Sequence, residues 1–467
     1  MPPVPLTAAG VAAAVNGRIV SGEPSATIGR ISIDSRAVAA GDFFVAIRGD
    51  RFDGHRFVGG AVAAGATGVL VDRAGEVGPL PTGTLVVEAA DTTAALQALA
   101  RHVRRQSRAR VVAITGSAGK TTTKEACAEL LSARYRVFRN KGNLNNHIGL
   151  PLSLLDLRSG PEVAVVELGM NHSGEIRTLV AIAEPEVRVW TNVGDAHIGF
   201  FESADAIADA KAEILEGASA GDVLIANADD PRIMARIRGF AGRTVTFGIQ
   251  KDADVRASGV QMRGLEGIRA AVRTPAGGFQ LETPLLGTGN LANVLAATAV
   301  AVTFEVPLDV IATRAATLRP SHHRGELLRL PGGVTLIDDS YNSSPSALKR
   351  SLEIVAGARG SARKIAVLGE MLELGDHAAS LHRECGRAAK DAGLDFLLAV
   401  GGAAAAELAD AARAAGMPAG AVVAVAGREE ATAEMLRRTR AGDLVLVKGS
   451  RGIGLEAVVD RLKAEFA

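Results

Sequence analysis

The stretch TGSAGKTTTK, residues 115–124, constrains the possible folds of this chain more than any other feature, because it joins a predicted strand to a predicted helix. Residues 110–114 form an apolar run that suits a buried strand, and residues 125–131 repeat apolar side chains at helical spacing. A glycine-containing turn in this context places free backbone N–H groups at the helix start, where they bind anions. The stretch therefore predicts an α/β domain with a phosphate site beside the strand end.

The loop has the residue types that a nucleoside triphosphate requires. Gly116 and Gly119 allow the backbone to approach an anion. Lys120 can reach the β- and γ-phosphates, and Thr121 can coordinate Mg²⁺. Ile114 stands where the common phosphate-loop pattern has its first glycine, so a turn that only caps a structural helix remains an alternative. The candidate nucleotide-binding residues are Thr115, Gly116, Ser117, Ala118, Gly119, Lys120, Thr121 and Thr122.

Length and charge exclude several classes of protein. The 467 residues, 48% of them hydrophobic, are enough for about three domains. The 52 basic and 51 acidic side chains leave a net charge of +1, which provides no field to attract nucleic acid. Aromatic residues make up 3% of the chain, too few for the stacking platforms that single-stranded nucleic acid requires. We therefore expect no nucleic-acid partner.

The sequence also indicates a cytoplasmic protein. Cys127 and Cys385 both fall in helical patterns without metal-ligand spacing, so we interpret them as reduced packing residues. Residues 1–5 contain no basic region followed by an apolar run, and no stretch reaches about 18 consecutive apolar residues. We expect neither a signal peptide nor a membrane partner.

Changes in pattern divide the chain into three blocks. Residues 1–107 mix short strands with glycine-rich turns and end in a basic helical stretch. In residues 108–319, apolar runs alternate with helical segments, which predicts a largely parallel sheet, although residues 252–288 break the rhythm and predict an antiparallel addition. The alternation restarts in residues 320–467 and predicts a second α/β domain.

Polar residues farther along the chain are candidates for the remaining chemistry. Asn143, Asn145 and Asn146 form a dense group of amides that can hold a polar ligand or can instead make Asx turns. Glu167 ends an apolar strand, where burying a carboxylate is unfavourable unless it serves a cation or a hydrogen-bond network. His197 follows another such strand, although a lone histidine is also common as a structural residue. Because ligands bind at the carboxyl ends of strands in open α/β sheets, we expect the site there.

These motifs and their order resemble the Mur ligase family, the ATP-dependent amide-forming enzymes of peptidoglycan precursor assembly. The resemblance runs over essentially the whole chain and rests on TGSAGKTT, NLNNHIGLP, VVELGM, NVGDAH, ADAKAEIL and GNLANVLAA. Three later segments, IDDSYNSSP, LGEMLELG and VKGSRG, are similar to those of the family member that adds D-alanyl-D-alanine. The Asp-Asn-Pro-Arg motif of the diamino-acid-adding relative does not occur in the sequence.

The resemblance implies an α/β fold of three domains. A small N-terminal α/β domain would bind the UDP-linked substrate, a central P-loop domain with a parallel sheet would bind ATP, and a C-terminal Rossmann-like α/β domain would bind D-alanyl-D-alanine and close over ATP. The implied reaction joins D-alanyl-D-alanine to UDP-N-acetylmuramoyl-tripeptide through an acyl phosphate, in a protein that we expect to be a monomer. The alternatives are a diamino-acid-adding ligase of the same family, a folylpolyglutamate-type ligase, and a P-loop switch or motor ATPase.

The resemblance also implies a catalytic centre. Lys120 would neutralise charge on the phosphoryl group, and two Mg²⁺ ions would bridge the phosphates. Lys211 would react with CO₂ to give an anionic carbamate that offers oxygen ligands to magnesium. Without the resemblance, Lys211 would be interpreted as an exposed helix lysine. The implied catalytic residues are Lys120, Lys211, Glu167 and His197, and the implied metal ligands are Thr121, Glu167, His197 and Lys211.

Further residues would hold the nucleotide. Asn290 and Asn293 would contact the adenine nucleotide from the central domain, and Asp339 would contact it from the C-terminal domain. Arg324 would supply a further nucleotide contact, although the sequence reads Arg-Gly at this point where the family usually has Gly-Arg.

Other residues would hold the UDP-linked substrate and the dipeptide. Residues 34–36 and 41–57 are similar to the segments that hold the UDP-sugar: Arg36 would pair with pyrophosphate and Ser35 with uracil or ribose, while Asp34 can instead be interpreted as a turn-former. The implied substrate-binding residues are Asp34, Ser35, Arg36, His55, Asn143, Asn145, Asn146, Tyr341 and Asn342.

Overall fold

The computed structural model describes residues 4–49 and 52–467. Residues 1–3 of the N-terminal segment, and residues 50 and 51 of the segment implied to hold the UDP-sugar, lie outside the described residues. The strands form three sheets, at residues 18–88, 110–283 and 326–448, each with helices packed on it. This architecture confirms the predicted α/β class with three domains. Within the described residues, every helix is too short or too polar to cross a membrane.

The N-terminal sheet has five strands, β1 Arg18–Ser21, β2 Ile31–Ser32, β3 Phe43–Val45, β4 Gly68–Val71 and β5 Leu85–Glu88. Their order in the sheet is β1-β5-β4-β3-β2, with β1 antiparallel to β5 and the other neighbours parallel. The helices of this part are α1 Ala8–Ala14, α2 Val58–Ala63 and α3 Thr92–Gln106.

Helix α3 connects the N-terminal domain to the central domain. Asp91 caps the helix by accepting hydrogen bonds from two backbone N–H groups of its first turn. Leu96 and Leu99 on its apolar face are fully buried in a hydrophobic cluster that contains residues of both domains. At the other end, buried Arg104 donates to the carboxylate of Glu186 in the central domain. The first two domains therefore share one core.

The central sheet has nine strands: β6 Arg110–Thr115, β7 Val137–Arg139, β8 Val163–Glu167, β9 Val187–Trp190, β10 Val223–Asn227, β11 Arg243–Gly248, β12 Val255–Met262, β13 Ile268–Thr274 and β14 Gly277–Thr283. Its helices are α4 Lys120–Leu131, α5 Gly149–Leu154, α6 Glu175–Ala183, α7 Ala204–Ala212, α8 Pro231–Arg236, α9 Thr288–Thr303 and α10 Leu308–Ala315. The strand order is β14-β13-β12-β11-β10-β9-β6-β8-β7.

Strands β6 to β12 are parallel, and β13 and β14 are antiparallel. The predicted antiparallel addition at residues 252–288 is therefore present, and it extends the edge of the main sheet. The central strands β6, β8 and β9 are buried on both faces, as expected for parallel strands covered by helices. Their carboxyl ends meet at one edge of the sheet, where the predicted phosphate loop begins.

The C-terminal sheet has six strands, β15 Glu326–Arg329, β16 Thr335–Asp339, β17 Arg363–Gly369, β18 Phe396–Val400, β19 Val422–Val425 and β20 Asp443–Lys448. The helices are α11 Pro345–Gly357, α12 Ala378–Asp391, α13 Ala403–Ala414, α14 Arg428–Arg438 and α15 Glu456–Glu465. The strand order is β15-β16-β20-β17-β18-β19, and only β15 is antiparallel to its neighbour. Strand β15 was not predicted.

Candidate active site

A cavity of about 700 Å³ lies between the central and C-terminal domains. On the central side it is lined by the phosphate loop, the 143–147 loop and the start of α9. On the C-terminal side it is lined by the segment after β16, one face of α11, and the loops after β17 and β20. The motifs that the sequence placed in separate domains therefore meet in one cleft.

Two glycines shape the phosphate loop because side chains would collide there. Gly116 has φ of +149°, and a Cβ on it would lie 1.9 Å from Thr191 Oγ1. Gly119 has φ of +82°, and its Cβ would lie 2.2 Å from Asn293 Oδ1. Since L side chains avoid this backbone region, both positions require glycine. Helix α4 begins immediately after Gly119.

The end of β9 holds the phosphate loop in place. Asn192 accepts a hydrogen bond from Ala118 N and donates one to Ala118 O, both at 2.9 Å. Thr191 Oγ1 donates to the same carbonyl at 2.8 Å. Sequence reasoning assigned no role to Thr191 and Asn192, although both lie in the TNVGDAH segment that contains His197. Sequence reasoning did assign Thr115 to the nucleotide. In the structure this residue is fully buried, and its hydroxyl is engaged in a hydrogen bond that it donates to Leu168 O at the end of the neighbouring strand.

Lys120 folds back onto its own loop. Its Nζ donates to Gly116 O at 2.8 Å and lines the cavity. Desolvation lowers the pKa of Lys120, and the positive charge of Arg324 acts in the same direction, against the opposing effect of Glu167. A bound anion would oppose this lowering of the Lys120 pKa.

Glu167 is a buried carboxylate held by hydrogen bonds. It is 3% exposed at the end of β8. Thr121 Oγ1 donates to Oε2 and Asn145 Nδ2 donates to Oε1, both at 2.7 Å. The structure thus brings together three residues that the sequence separates. Of the other amides, Asn143 lines the cavity and Asn146 accepts from Gly149 N at 2.8 Å, which is the Asx-type turn that the sequence left open.

Lys211 is buried near the C-terminus of α7 with 2% exposure. The interpretation as an exposed helix lysine is therefore wrong. Burial lowers the pKa of Lys211 well below its usual value, and the charge of Lys120 lowers it further. Within the described residues, its ammonium makes no hydrogen bond or ion pair, in contrast to Lys124, which is equally buried but donates to Asn140 O at 2.6 Å.

His197 lines the cavity from the loop after β9. Its backbone is left-handed, with φ of +66°, and its Nδ1 lies 2.6 Å from Oε2 of Glu373 in the C-terminal domain. This close polar contact joins the two domains. It holds the pKa of the Glu373 carboxyl below its usual value, against the effect of burial.

Helix α9 presents two amides beside the phosphate loop. Asn293 Nδ2 donates to Asn290 Oδ1 at 3.2 Å, and Asn293 Oδ1 accepts from Thr123 Oγ1 at 3.3 Å. Both amides line the cavity next to Gly119.

The C-terminal side of the cavity is cationic. Arg324 lies 4.0 Å from the ring centroid of Tyr341, and Arg451 lies 4.8 Å from it. Lys448 Nζ donates to Asp339 Oδ2 at 2.7 Å and to the carbonyl of Asn342 at 3.0 Å. Arg324 therefore reaches the cavity despite its unusual sequence context. Lys448 and Arg451 were missed as individual residues, although the VKGSRG segment that carries them was singled out.

The candidates for the UDP-linked substrate lie outside this cavity. Asp34 caps a 3₁₀ turn by accepting from Arg36 N at 3.0 Å, as the turn-former interpretation expects, and its ion pair with the Arg36 side chain lowers its pKa to about 2. Ser35 begins that turn. His55 is held between Asp53, 2.7 Å from Nδ1, and Asp72, 3.0 Å from Nε2.

Comparisons with known proteins cover nearly the whole chain. Family models match three consecutive parts: the Mur ligase family catalytic domain at residues 27–119, the Mur ligase middle domain at 114–301, and the Mur ligase glutamate ligase domain at 323–451. The UDP-N-acetylmuramoyl-tripeptide--D-alanyl-D-alanine ligase of Bacillus subtilis (strain 168) is 34% identical over 467 residues, 98% of each chain. The enzyme of the same name from Escherichia coli (strain K12) is 36% identical over 378 residues, 80% of this chain and 82% of its own.

Solved structures agree with these sequence matches. The crystal structure of MurF from Acinetobacter baumannii superposes with a TM-score of 0.89 at 31% identity, covering 99% of this chain and 100% of the other. The crystal structure of MurF ligase from Thermotoga maritima in complex with ADP superposes with a TM-score of 0.82 at 29% identity, covering 94% and 97%.

Proposed function

The chain belongs to the Mur ligase family, and on that premise we propose that it joins D-alanyl-D-alanine to UDP-N-acetylmuramoyl-tripeptide at the expense of ATP, as the named relatives do. The observation that carries the proposal is the cavity in which the phosphate loop faces the C-terminal residues Asp339 and Tyr341. A ligase needs such a cleft, because the activated acyl group must meet its amine acceptor out of contact with water. The ADP complex of the Thermotoga maritima relative supports the nucleotide assignment.

The phosphate loop is the proposed site of the ATP phosphates. The free N–H groups at the start of α4 and the Lys120 ammonium offset their negative charge. A bound triphosphate would favour the charged form of Lys120, because an adjacent anion raises the pKa that burial has lowered. Asn290 and Asn293 lie beside the loop and are the proposed contacts to the rest of the nucleotide.

Magnesium fits this site if Lys211 changes its charge. Among the described residues, no three His, Cys, Asp or Glu side chains are grouped as a ready metal centre. Thr121 and Glu167 would supply oxygen ligands, which magnesium prefers, His197 would supply a nitrogen, and Lys211 would supply further oxygens as a carbamate. A buried amine with a lowered pKa is nucleophilic towards CO₂, and the product is an anion. Bound magnesium would neutralise charge on the phosphates during transfer.

The reaction proceeds in two displacements. A carboxylate oxygen of the tripeptide attacks the γ-phosphorus, the bond to ADP breaks, and an acyl phosphate forms. Lys120 reduces the repulsion between these two anions. The amine of D-alanyl-D-alanine then attacks the acyl carbon, phosphate leaves, and the nitrogen loses a proton to complete the amide. Tyr341 and Asn342, on the C-terminal side of the cavity, are the proposed contacts to the dipeptide.

The UDP end of the substrate is proposed to lie on the N-terminal domain. Arg36 is 88% exposed, so its guanidinium is accessible to pyrophosphate although it pairs with Asp34. Ser35, in the same turn, is the proposed partner of uracil or ribose. His55 has both ring nitrogens engaged, Nδ1 by the Asp53 carboxylate at 2.7 Å and Nε2 by the backbone N–H of Asp72 at 3.2 Å, and in this proposal it supports the neighbouring loop.

A mass-resolved assay tests the proposed function. The protein is incubated with ATP, Mg²⁺ and UDP-N-acetylmuramoyl-tripeptide, with D-alanyl-D-alanine in one tube and single amino acids in others. We expect UDP-N-acetylmuramoyl-pentapeptide, ADP and phosphate only where the dipeptide is present. ATP hydrolysis that needs no acceptor, with no new UDP-peptide in any tube, would overturn the ligase assignment and favour a switch or motor ATPase.

A further inference from the structure

Two loops from different domains touch beside the cavity. The first follows β9 and contains residues 197–199; the second follows β17 and contains residues 373–375, the end of the LGEMLELG segment. Gly199 N donates to Glu373 O at 2.9 Å, and a Cβ on Gly199 would lie 2.6 Å from Gly375 N. The backbones are therefore in direct contact, which side chains at these glycines would prevent. We call residues 197–199 and 373–375 the interdomain latch.

The latch contains an unusual backbone conformation on both sides. His197 and Glu373 each have φ of +66°, a left-handed conformation that non-glycine residues rarely adopt. Such strain persists only where the surroundings enforce it, and it is concentrated at functional sites. Here the two strained residues are each other's partners, since the His197 ring and the Glu373 carboxylate lie 2.6 Å apart across the interface.

The contact with Glu373 uses one ring nitrogen of His197. Nδ1 faces Glu373, and within the described residues Nε2 makes no hydrogen bond or ion pair. A histidine that binds a metal through one nitrogen is almost always held through the other by a carboxylate or carbonyl, which fixes the tautomer and makes the ligand nitrogen more basic. Glu373 stands in that position, but on the other domain.

The loop that carries Glu373 is itself fixed. Met371 N donates to Nε2 of buried His382 at 2.9 Å, and Leu372 N donates to Ser450 Oγ at 2.9 Å. These bonds anchor the segment to α12 and to the loop after β20. The carboxylate therefore moves with the C-terminal domain as a unit, and its distance from His197 depends on where that domain lies.

We propose that Glu373 is a positioning residue for His197, so that the metal site of the central domain reaches its binding form only when the C-terminal domain engages the latch. The inference rests on the proposed role of His197 as a magnesium ligand. It gives the LGEMLELG segment a function that the reaction itself does not require. Binding of the metal and contact between the two domains would then favour each other.

Four variants separate this role from general effects on structure. Glu373→Ala removes the carboxylate, and Glu373→Gln keeps a hydrogen-bond acceptor of the same shape. Ser346→Ala removes a different interdomain contact, the 2.6 Å bond from Ser346 Oγ to Asp195 Oδ1, without touching His197. Glu407→Gln makes the same chemical change in the exposed pair with Arg383, away from the interface.

The measurement is Mn²⁺ affinity, read by water-proton relaxation, in the presence of a non-hydrolysable ATP analogue. We expect Glu373→Ala to weaken Mn²⁺ binding about tenfold or more, the range typical of lost carboxylate–histidine support, and Glu373→Gln to recover most of it. Affinity for the nucleotide without metal should change less than about twofold. Ser346→Ala and Glu407→Gln should bind Mn²⁺ as the unaltered protein does.

Two results would overturn the inference, and they have different meanings. If Glu373→Ala binds Mn²⁺ normally while the unaltered protein binds it tightly, the metal site stands and Glu373 has no part in it. The same conclusion follows if Ser346→Ala loses as much affinity as Glu373→Ala, since domain contact alone would then be responsible. If the unaltered protein binds no Mn²⁺ in the presence of nucleotide, the proposed metal site is incorrect, and the proposed reaction that depends on it is incorrect too.

Discussion

Gly119 is a single residue on which the phosphate loop depends, because both its backbone and its lack of a side chain are required. We predict that Gly119→Ala reduces affinity for ATP at least about tenfold and lowers the free energy of unfolding by about 1–3 kcal/mol, since the new Cβ meets Asn293 Oδ1 at 2.2 Å in a strained backbone. Calorimetric titration with ATP and denaturant unfolding measure the two effects.

Gly174 provides the matched control for that substitution. It also precedes a helix, α6, with φ of +89°, but within the described residues no heavy atom lies within 4 Å of the position a Cβ would take. Gly174→Ala therefore carries the same backbone strain without the collision. Equal loss of ATP affinity in both variants would contradict the steric explanation.

Lys211 carries the prediction about the carbamate. We expect Lys211→Ala to be nearly inactive and to regain part of its activity with small carboxylates, because these can supply the missing anionic oxygens. ¹³C NMR of the protein in ¹³CO₂-labelled buffer should show a carbamate signal that the variant lacks and that Lys251→Ala, altered at an exposed lysine, retains. Full activity of Lys211→Ala would remove the lysine from the metal site.

At the scale of elements, helix α12 determines the position of the latch loop through His382. This ring is fully buried, accepts from Met371 N, and has its Nδ1 2.7 Å from Ala378 O, so the neutral form is required. Burial lowers the pKa of His382, although Glu370 and the Ala378 carbonyl oppose the shift.

This shift predicts the direction of a pH effect. As the pH falls below about 6.5, the unfolded chain binds a proton at His382 before the folded protein does, so the free energy of unfolding decreases until the folded histidine is protonated too. We expect urea unfolding between about pH 8 and about pH 5.5 to show a smaller loss of stability in His382→Gln than in the unaltered protein. His102→Gln, on the surface of α3, should leave the pH dependence unchanged; an unchanged dependence in His382→Gln would contradict the assignment.

Elements with a strong local pattern could be predicted from the sequence. The phosphate loop was identifiable because its strand, turn and helix are contiguous, and the βα alternation predicted most parallel strands of both α/β domains, but not the short edge strand β7. Strand β15 has only four residues at a sheet edge, and none of them is fully buried, so no apolar pattern marks it. Helix α7, ADAIADAKA, has small side chains on every face, so its sequence does not show that Lys211 points inwards. The contact of His197 with Glu373 joins distant segments, and only the fold brings them together.

At the scale of the whole molecule, hydrogen bonds from Arg158 connect the central domain to the N-terminal domain. Arg158 donates to the carbonyls of Ile28 and Gly29, both at 2.8 Å, and to Val4 O at 3.3 Å. We predict that Arg158→Ala lowers the free energy of unfolding by about 2 kcal/mol, the range for hydrogen bonds from a charged group. Urea unfolding followed by the fluorescence of Trp190, the single tryptophan, measures it.

The form of that unfolding curve is a second readout. Because the first two domains share a hydrophobic cluster that includes Trp190, we expect one transition for both in the unaltered protein and in the variant. Arg108→Ala, at an exposed position near the end of α3, should leave the midpoint unchanged. An unaltered midpoint in Arg158→Ala would show that the Arg158 hydrogen bonds add nothing to the stability of the contact between the domains.

The shared core also determines when the N-terminal domain can finish folding during synthesis on the ribosome. The cluster that buries Leu96 and Leu99 of α3 includes Ile237, so the chain must be extended well beyond the first domain before that core can be completed. At about 5–20 residues per second, translation from residue 107 to residue 237 takes roughly 7–26 s. During that interval the apolar face of α3 is uncovered and available to chaperones that bind nascent chains. The N-terminal domain leaves the ribosome first, but it can complete its core only after this part of the central domain has been synthesised.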